Sequence, residues 1–118
     1  MLHGGWPFTR QITALLTKPN AWLDFSNQDL VLPPATLAST LREWLEFVPE
    51  KVLFGTDAYP YSNAMGWEES GWIANRTARE ALAIALTDMM RAGEIDRARA
   101  GELARMVLRD NPRKLYGL

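Results

Sequence analysis

Two short apolar runs, each preceded by a helix-forming segment, constrain this 118-residue sequence most strongly. Residues 52–54 (Val-Leu-Phe) are continuously apolar and begin with a β-branched residue, a pattern typical of a strand buried on both faces of a parallel sheet. Residues 21–25 are mostly apolar and include two aromatic side chains, which also favours a strand. Strands that are separated by a helix run parallel and are joined by right-handed crossovers, so the sequence predicts an α/β fold.

Helical patterns surround the two strands. Apolar residues at helical spacing predict a first helix over about residues 8–17. Pro33 and Pro34 open a second helix, because proline is tolerated in the first helical turn, and Pro49 ends it. The predicted apolar face of this second helix consists of Leu37, Leu41, Trp44, Leu45 and Val48.

The second half of the chain is expected to contain one long loop and then helices. Residues 56–76 show neither a helical nor a strand period, which predicts a loop. Thr77 and Glu80 have the spacing of a capping box, so they predict the start of a helix that ends near Gly93. Another helix is expected from Asp96, and Asn111 is expected to be the N-cap of a last helical turn.

The tryptophans allow more than one interpretation. Trp22 and Trp44 lie on predicted core faces and are expected to be buried. Trp67 and Trp72 fall in the predicted loop. Three interpretations are open for these two side chains: they line a substrate pocket, they cover an exposed sheet edge, or they contact a partner. Covering or contact is the favoured interpretation.

The composition excludes several classes of protein. The chain has 13 Lys and Arg against 14 Asp and Glu, so it lacks the basic excess that nucleic acids or anionic membranes attract. The absence of cysteine excludes disulfides and cysteine-ligated metals. No run approaches the roughly 18 apolar residues of a membrane-spanning helix, and the first residues lack a signal-peptide pattern. We therefore expect one cytoplasmic domain over residues 1–118 that binds neither nucleic acid nor membrane.

Two residues are candidates for chemistry. Asp57 directly follows the apolar run 52–54, and carboxylates at the C-terminal ends of parallel strands can bind a metal or act as general bases. A turn residue or a helix cap is an equally good interpretation of that position. His3 is the only histidine, and beside two glycines it could be a metal ligand or a proton shuttle. A frayed terminal residue is the stronger alternative for His3 from position alone.

Four segments, in this order, resemble the C-terminal part of the amidohydrolase-related metal-dependent hydrolases: residues 2–8 (LHGGWPF), 20–26 (NAWLDFS), 52–60 (VLFGTDAYP) and 110–118 (DNPRKLYGL). This TIM-barrel group includes amidohydrolases, lactonases and aminocarboxymuconate-semialdehyde-type decarboxylases. The resemblance implies a partial (β/α)8 barrel with about two to three parallel strands and packed helices. Residues 1–118 would then be a single domain, a C-terminal fragment of the barrel from the end of strand six to the final helices.

The resemblance also implies roles for the two candidate residues. Asp57 matches the family's aspartate after strand eight, which contacts the metal and handles the proton of the attacking water. His3 matches the histidine after strand six, which binds a second metal or polarises the water or substrate. Both are thus candidate catalytic and metal-ligating residues, and the implied cofactor of the full-length family is a divalent metal, zinc first. The family's His-x-His after strand one and its histidine after strand five have no counterpart here. The alternative for this chain, as opposed to the full-length family, is therefore that it binds no metal.

The expected function is therefore that of a hydrolase fragment. A metal-dependent hydrolase or decarboxylase of this type acts on a small, carboxylated molecule through metal-activated water, and the fragment alone is expected to be inactive. The alternative is a non-catalytic, oligomeric structural or interaction module. The expected partners are a small-molecule substrate in the full-length family and further copies of the chain, because two or three strands leave unpaired edges that a homo-oligomer would cover.

Overall fold

Two short parallel strands and six α-helices make up the structure, a computed structural model that describes all residues 1–118. The strands are β1 (Leu23–Asp24) and β2 (Val52–Leu53). The helices are α1 (Thr9–Leu15), α2 (Gln28–Val31), α3 (Pro34–Phe47), α4 (Trp67–Arg91), α5 (Arg97–Arg105) and α6 (Asn111–Tyr116). Two 3-10 turns, Leu2–Gly5 and Pro49–Lys51, precede the strands, and a π-helical turn, Met106–Asp110, joins α5 to α6.

The two predicted strands form and pair in parallel, with Leu23 opposite Val52 and Asp24 opposite Leu53. This confirms the mixed helix and strand architecture with a parallel sheet. Both strands are shorter than the apolar runs that predicted them. No third strand forms, but the chain start lies along the free side of β1, where the backbone N–H of Asp24 donates to the carbonyl oxygen of Met1 at 3.1 Å.

The outer edge of β2 is covered by the C-terminal helical segment. The backbone N–H of Phe54 donates to the Val107 carbonyl oxygen at 3.1 Å. The Asn111 side-chain amide donates to the carbonyl oxygens of Pro49 and Val52, each at 2.8 Å. The predicted N-cap role of Asn111 is therefore wrong, since Asn111 is buried within a continuous helical segment and its amide donates to carbonyl oxygens of the turn before β2 and of β2 itself. The homo-oligomer stays a prediction. Its premise was two unpaired sheet edges, and the edge at β2 is already covered within the chain.

The core is formed mainly by α3 against α4. The predicted apolar face of α3 is confirmed, and Trp44, at 0% exposure, lies at its centre, whereas Trp22 is only half-buried. The facing side of α4 carries mostly small residues, which allow the two helix backbones to approach closely. The buried residues of α4 are Ser70, Ala74, Ala78, Ala81, Leu82, Ala85, Leu86 and Met89.

The start of α4 differs from the prediction. The helix begins at Trp67 and not at Thr77, so residues 67–76 are helical and not loop. The capping interaction comes earlier as well, because Glu69 Oε2 accepts from the backbone N–H of Gly66 at 3.0 Å. Pattern analysis missed these turns because the buried face there consists of serine and alanine, which give little apolar contrast. The predicted end is confirmed by Gly93, which follows the helix with a φ of +74°.

None of the helices combines the length and apolar character that crossing a lipid bilayer requires.

Candidate functional site

Three polar segments meet at the carboxyl edge of the sheet. The 3-10 turn Leu2–Gly5 lies beside the end of β1, residues 24–29 continue β1 into α2, and residues 55–57 follow β2. Parallel strands bring their carboxyl ends to one edge, which is where ligands bind in open α/β sheets. We call this group the strand-end cluster; its members are His3, Asp24, Ser26, Gln28, Asp29 and Asp57.

The structure brings the two predicted site residues together. His3 Nε2 lies 3.9 Å from Asp57 Oδ2, which is beyond hydrogen-bonding distance but close enough for one small ligand to contact both atoms. The two side chains are 38% and 46% exposed, so solvent and substrate can reach them. Both residues have left-handed backbones, with φ of 56° for His3 and 51° for Asp57. Non-glycine residues rarely adopt this conformation, and such strain concentrates at functional sites.

The other edge of the imidazole is anchored to residues after β1. His3 Nδ1 lies 3.1 Å from the Ser26 carbonyl oxygen and 3.1 Å from Ser26 Oγ. The Ser26 hydroxyl donates to Asp24 Oδ1, which also accepts from the backbone N–H groups of His3 at 3.3 Å and Ser26 at 3.2 Å. The Gln28 amide donates to the His3 carbonyl oxygen at 2.6 Å. Sequence reasoning missed these contacts, although Asp24 and Ser26 occupy a strand end like that of Asp57.

Asp29 is a buried carboxyl group inside the strand-end cluster. It is 1% exposed, and neither carboxyl oxygen has a hydrogen-bond partner. The pKa of Asp29 is raised to about 7, chiefly by burial; the nearby backbone N–H groups of Asp29 and Asn27 oppose the rise, and the negative charges of Asp24 and Asp57 add to it. No sequence signal pointed to Asp29, because a polar residue between two predicted elements looks like an ordinary loop residue.

Tyr61 lies on the solvent side of Asp57. Its hydroxyl is 3.1 Å from the Asp57 carbonyl oxygen and 3.4 Å from Asp57 Oδ2. Partial burial raises the pKa of Tyr61, and so do the charge of Asp57 and the hydrogen bond to it. The phenol therefore stays protonated and acts as a donor towards Asp57.

A groove of about 590 Å³ runs beside Asp57, between the loop after β2 and the first turns of α4. Its lining residues are Thr56, Ala58, Trp67, Glu68, Gly71, Trp72, Asn75 and Arg76. The Arg76 guanidinium carbon lies 5.5 Å from the centre of the Trp72 ring, a cation–π distance. Trp67 and Trp72 line this groove and are 62% and 63% exposed, and their contact with a partner stays a prediction.

The chain does not by itself hold the donors of a complete metal centre. An imidazole nitrogen and a carboxylate oxygen are ordinary ligands of zinc and similar divalent cations. However, no group of three or more His, Asp or Glu side chains is placed to hold a metal ion. A catalytic zinc site normally takes three protein ligands, and His3 and Asp57 supply two at most.

Comparison with known proteins agrees with the resemblance in the sequence. The sequence model of the family described as "Amidohydrolase" matches residues 1–118. The chain is also 32% identical over 120 residues to "Protein fluG" of Emericella nidulans; the match covers the whole chain but only 13% of that protein. No solved structure matches the chain. Members of the matched family generally use divalent metals. The chain belongs to the amidohydrolase family.

Proposed function

We propose that residues 1–118 form the C-terminal portion of an amidohydrolase-type hydrolase, in which His3 and Asp57 act on the attacking water. The observation that carries this proposal is the approach of His3 Nε2 to Asp57 Oδ2 at the carboxyl edge of the parallel sheet. Family membership supports the reaction class, since amidohydrolases add water to small molecules. The two-stranded parallel sheet is consistent with a part of a (β/α)8 barrel, from the end of strand six to the final helices.

The 3.9 Å separation suits one water molecule shared by the two residues. A water oxygen about 2.8 Å from both atoms would direct one O–H to Nε2 and the other to Oδ2. Its lone pairs would then point away from the protein, towards a substrate carbonyl carbon. Either His3 or Asp57 takes one proton as the new C–O bond forms, and that proton goes to the nitrogen or oxygen that leaves when the scissile bond breaks.

The remaining parts of the site would come from outside residues 1–118. A TIM barrel takes about 250 residues, so this chain could supply about three of its eight strand positions. Where a divalent metal is bound by the complete enzyme, His3 and Asp57 would be the ligands from this portion. A bound metal lowers the pKa of water and polarises carbonyl groups. By this proposal, the 118-residue chain alone hydrolyses substrate slowly or not at all.

The groove beside Asp57 supports the proposal that the substrate is a small, carboxylated molecule. Arg76 makes no ion pair within the chain, and its guanidinium lies over Trp72 in the groove wall. A guanidinium can bind a carboxylate through two parallel hydrogen bonds. Titration with benzoate should perturb the Trp72 indole signal, and uncharged benzamide should not. Arg76→Ala should abolish the difference, whereas the exposed control Arg97→Ala should keep it; equal binding of both probes would contradict a carboxylate site.

Hydrolysis assays test the proposed function. The protein to assay is the longest polypeptide encoded in frame with residues 1–118. The substrates to test are small lactones, amides and carboxylated ring compounds. Asp57→Asn should lower kcat/KM about 100-fold or more, because proton transfer by a positioned group contributes that much. The control Asp110→Asn, at an exposed position of the C-terminal helical segment, should leave it unchanged. Hydrolysis that survives Asp57→Asn, or no hydrolysis of any substrate in the panel, would contradict the proposal.

Metal content gives a second test. Prepared without chelators, a longer polypeptide that also supplies the missing ligands should contain stoichiometric zinc or manganese, whereas the 118-residue chain should not. Asp57→Ala should remove the metal from the longer polypeptide. Stoichiometric metal in the 118-residue chain would show instead that its own donors suffice.

A further inference from the structure

We propose that Ser26 and Asp24 are positioning residues that hold His3 in the tautomer with its proton on Nδ1, leaving Nε2 as an acceptor towards Asp57. Ring tautomers are set by the hydrogen bonds that the two nitrogens make, so they can be assigned from the surrounding donors and acceptors. The catalytic use of this arrangement rests on the proposed function, but the tautomer itself does not.

The assignment begins at Asp24, which is the fixed acceptor of the network. Asp24 Oδ1 receives the backbone N–H of His3, the backbone N–H of Ser26 and the Ser26 hydroxyl. An ionised carboxylate can only accept hydrogen bonds, and a hydroxyl has a single proton to donate. The proton of the Ser26 hydroxyl is therefore directed to Asp24 and not to the imidazole.

Both protein neighbours of His3 Nδ1 are consequently acceptors. Ser26 Oγ, at 3.1 Å, presents only lone pairs to the ring because its proton is used on Asp24. The Ser26 carbonyl oxygen, also at 3.1 Å, has no proton to offer. An unprotonated Nδ1 would face two oxygen lone pairs without a hydrogen bond, which is the costly arrangement for a half-buried polar group. Nδ1 therefore carries the proton and shares it between the two Ser26 oxygens.

The ring is also held in place through its backbone. The Gln28 amide donates to the His3 carbonyl oxygen at 2.6 Å, and Gln28 itself is 1% exposed. At the next residue, a Cβ on Gly4 would lie 2.4 Å from a ring carbon of Trp44, so the turn that carries His3 is seated directly on the helical core. The backbone that carries the imidazole is thus fixed, and turning the ring over would break both contacts of Nδ1 with Ser26.

With the proton on Nδ1, Nε2 of a neutral His3 has a lone pair directed towards the Asp57 carboxylate. Two acceptors that face each other at 3.9 Å favour a donor between them, such as a water molecule or a cation. Histidines that bind a metal commonly donate their other ring N–H to a carbonyl or carboxylate in this way. Ser26 and Asp24 therefore decide which kind of ligand the His3–Asp57 gap accepts.

The tautomer can be measured directly because the chain contains a single histidine. We expect ¹⁵N NMR of histidine-labelled protein, at a pH where the ring is neutral, to show a protonated, pyrrole-type Nδ1 and an unprotonated, pyridine-type Nε2. A predominant Nε2–H form would overturn the proposal. This result needs no substrate and no activity, so it is independent of whether the proposed hydrolysis is found.

A substitution then tests the role of the serine hydroxyl. Ser26→Ala removes Oγ but keeps the carbonyl oxygen, so we expect the tautomer ratio to shift about 5-fold towards the Nε2–H form. Ser26→Thr should restore the ratio, and Ser39→Ala, on the exposed side of α3, should not change it. An unchanged ratio in a folded Ser26→Ala protein would overturn the positioning role of Ser26 and Asp24. Should Ser26→Ala fail to fold, the spectrum of the unsubstituted chain still decides the tautomer.

Discussion

The helical layer, formed by α3 and α4, and the strand-end cluster differ in the kind of side chains that they bury. Where α3 meets α4, buried side chains are almost all apolar, and Trp44 and its neighbours repeat at helical spacing. In the strand-end cluster, by contrast, Asp29 is buried without a partner, and His3 and Asp57 hold left-handed backbones. The first region gains free energy from burial, and the second stores strain and charge that burial must offset. The difference indicates that the helical layer stabilises a site that would not be stable alone.

The largest expected effect comes from breaking the helical layer. Trp44→Ala removes a fully buried aromatic side chain whose indole N–H donates to Thr13 Oγ1 at 3.2 Å. We expect a loss of about 3–5 kcal/mol in the free energy of unfolding, measured by urea denaturation. Phe47→Ala, on the same helix but 53% exposed, is the matched control and should cost much less. Equal losses would contradict the assignment of the core to this face of α3.

The next effect concerns the pH dependence that Asp29 introduces. Its carboxyl group binds a proton more tightly in the folded chain, with a pKa of about 7, than in the unfolded chain, at 3.8. The folded state therefore loses stability as the pH rises from about 4 through about 7. Asp29→Asn has no such proton, so between pH 4 and pH 8 its stability relative to the unsubstituted chain should rise by roughly 3–4 kcal/mol.

Urea denaturation at both pH values gives that difference. The exposed Asp110→Asn variant serves as the control and should keep the pH dependence of the unsubstituted chain. A pH dependence that survives Asp29→Asn would show that the buried carboxyl of the strand-end cluster is not its source.

The smallest effect is expected where the C-terminal helical segment covers β2. Asn111→Ala leaves the carbonyl oxygens of Pro49 and Val52 without their amide donor. We expect a loss of about 2 kcal/mol in the free energy of unfolding, because unsatisfied buried carbonyls are costly. Asn63→Ala, in the exposed loop before α4, should be near neutral. A neutral Asn111→Ala would mean that the Asn111 amide does not stabilise the cover over β2, which would then depend on the Phe54–Val107 hydrogen bond.

Sequence reasoning succeeded where the determining contacts are local or repeat along the chain. The apolar face of α3, both strands and the end of α4 at Gly93 follow from spacing and turn chemistry. The start of α4 was missed because Ser70 and Ala74 give no apolar contrast, and Asn111 was mistaken for a cap because its partners lie some sixty positions away.

The strand-end cluster likewise contains residues that the sequence could predict and residues that it could not. Asp57 could be singled out from its place after an apolar strand, and His3 chiefly through resemblance to a family. The anchoring of His3 by Ser26 could not be predicted, since it depends on how the 3-10 turn lies beside the end of β1. The buried state of Asp29 likewise arises only after α2 packs against α4.

The most direct test of the account is a double-mutant cycle on hydrolysis by the longest in-frame polypeptide. The four proteins are the unsubstituted enzyme, Asp57→Asn, His3→Gln and the double variant, each measured as kcat/KM. If His3 and Asp57 act together on one water, each single substitution should cost about 100-fold, and the double variant should be little worse than the poorer single one. Independent losses that multiply to about 10,000-fold would contradict the shared-water site.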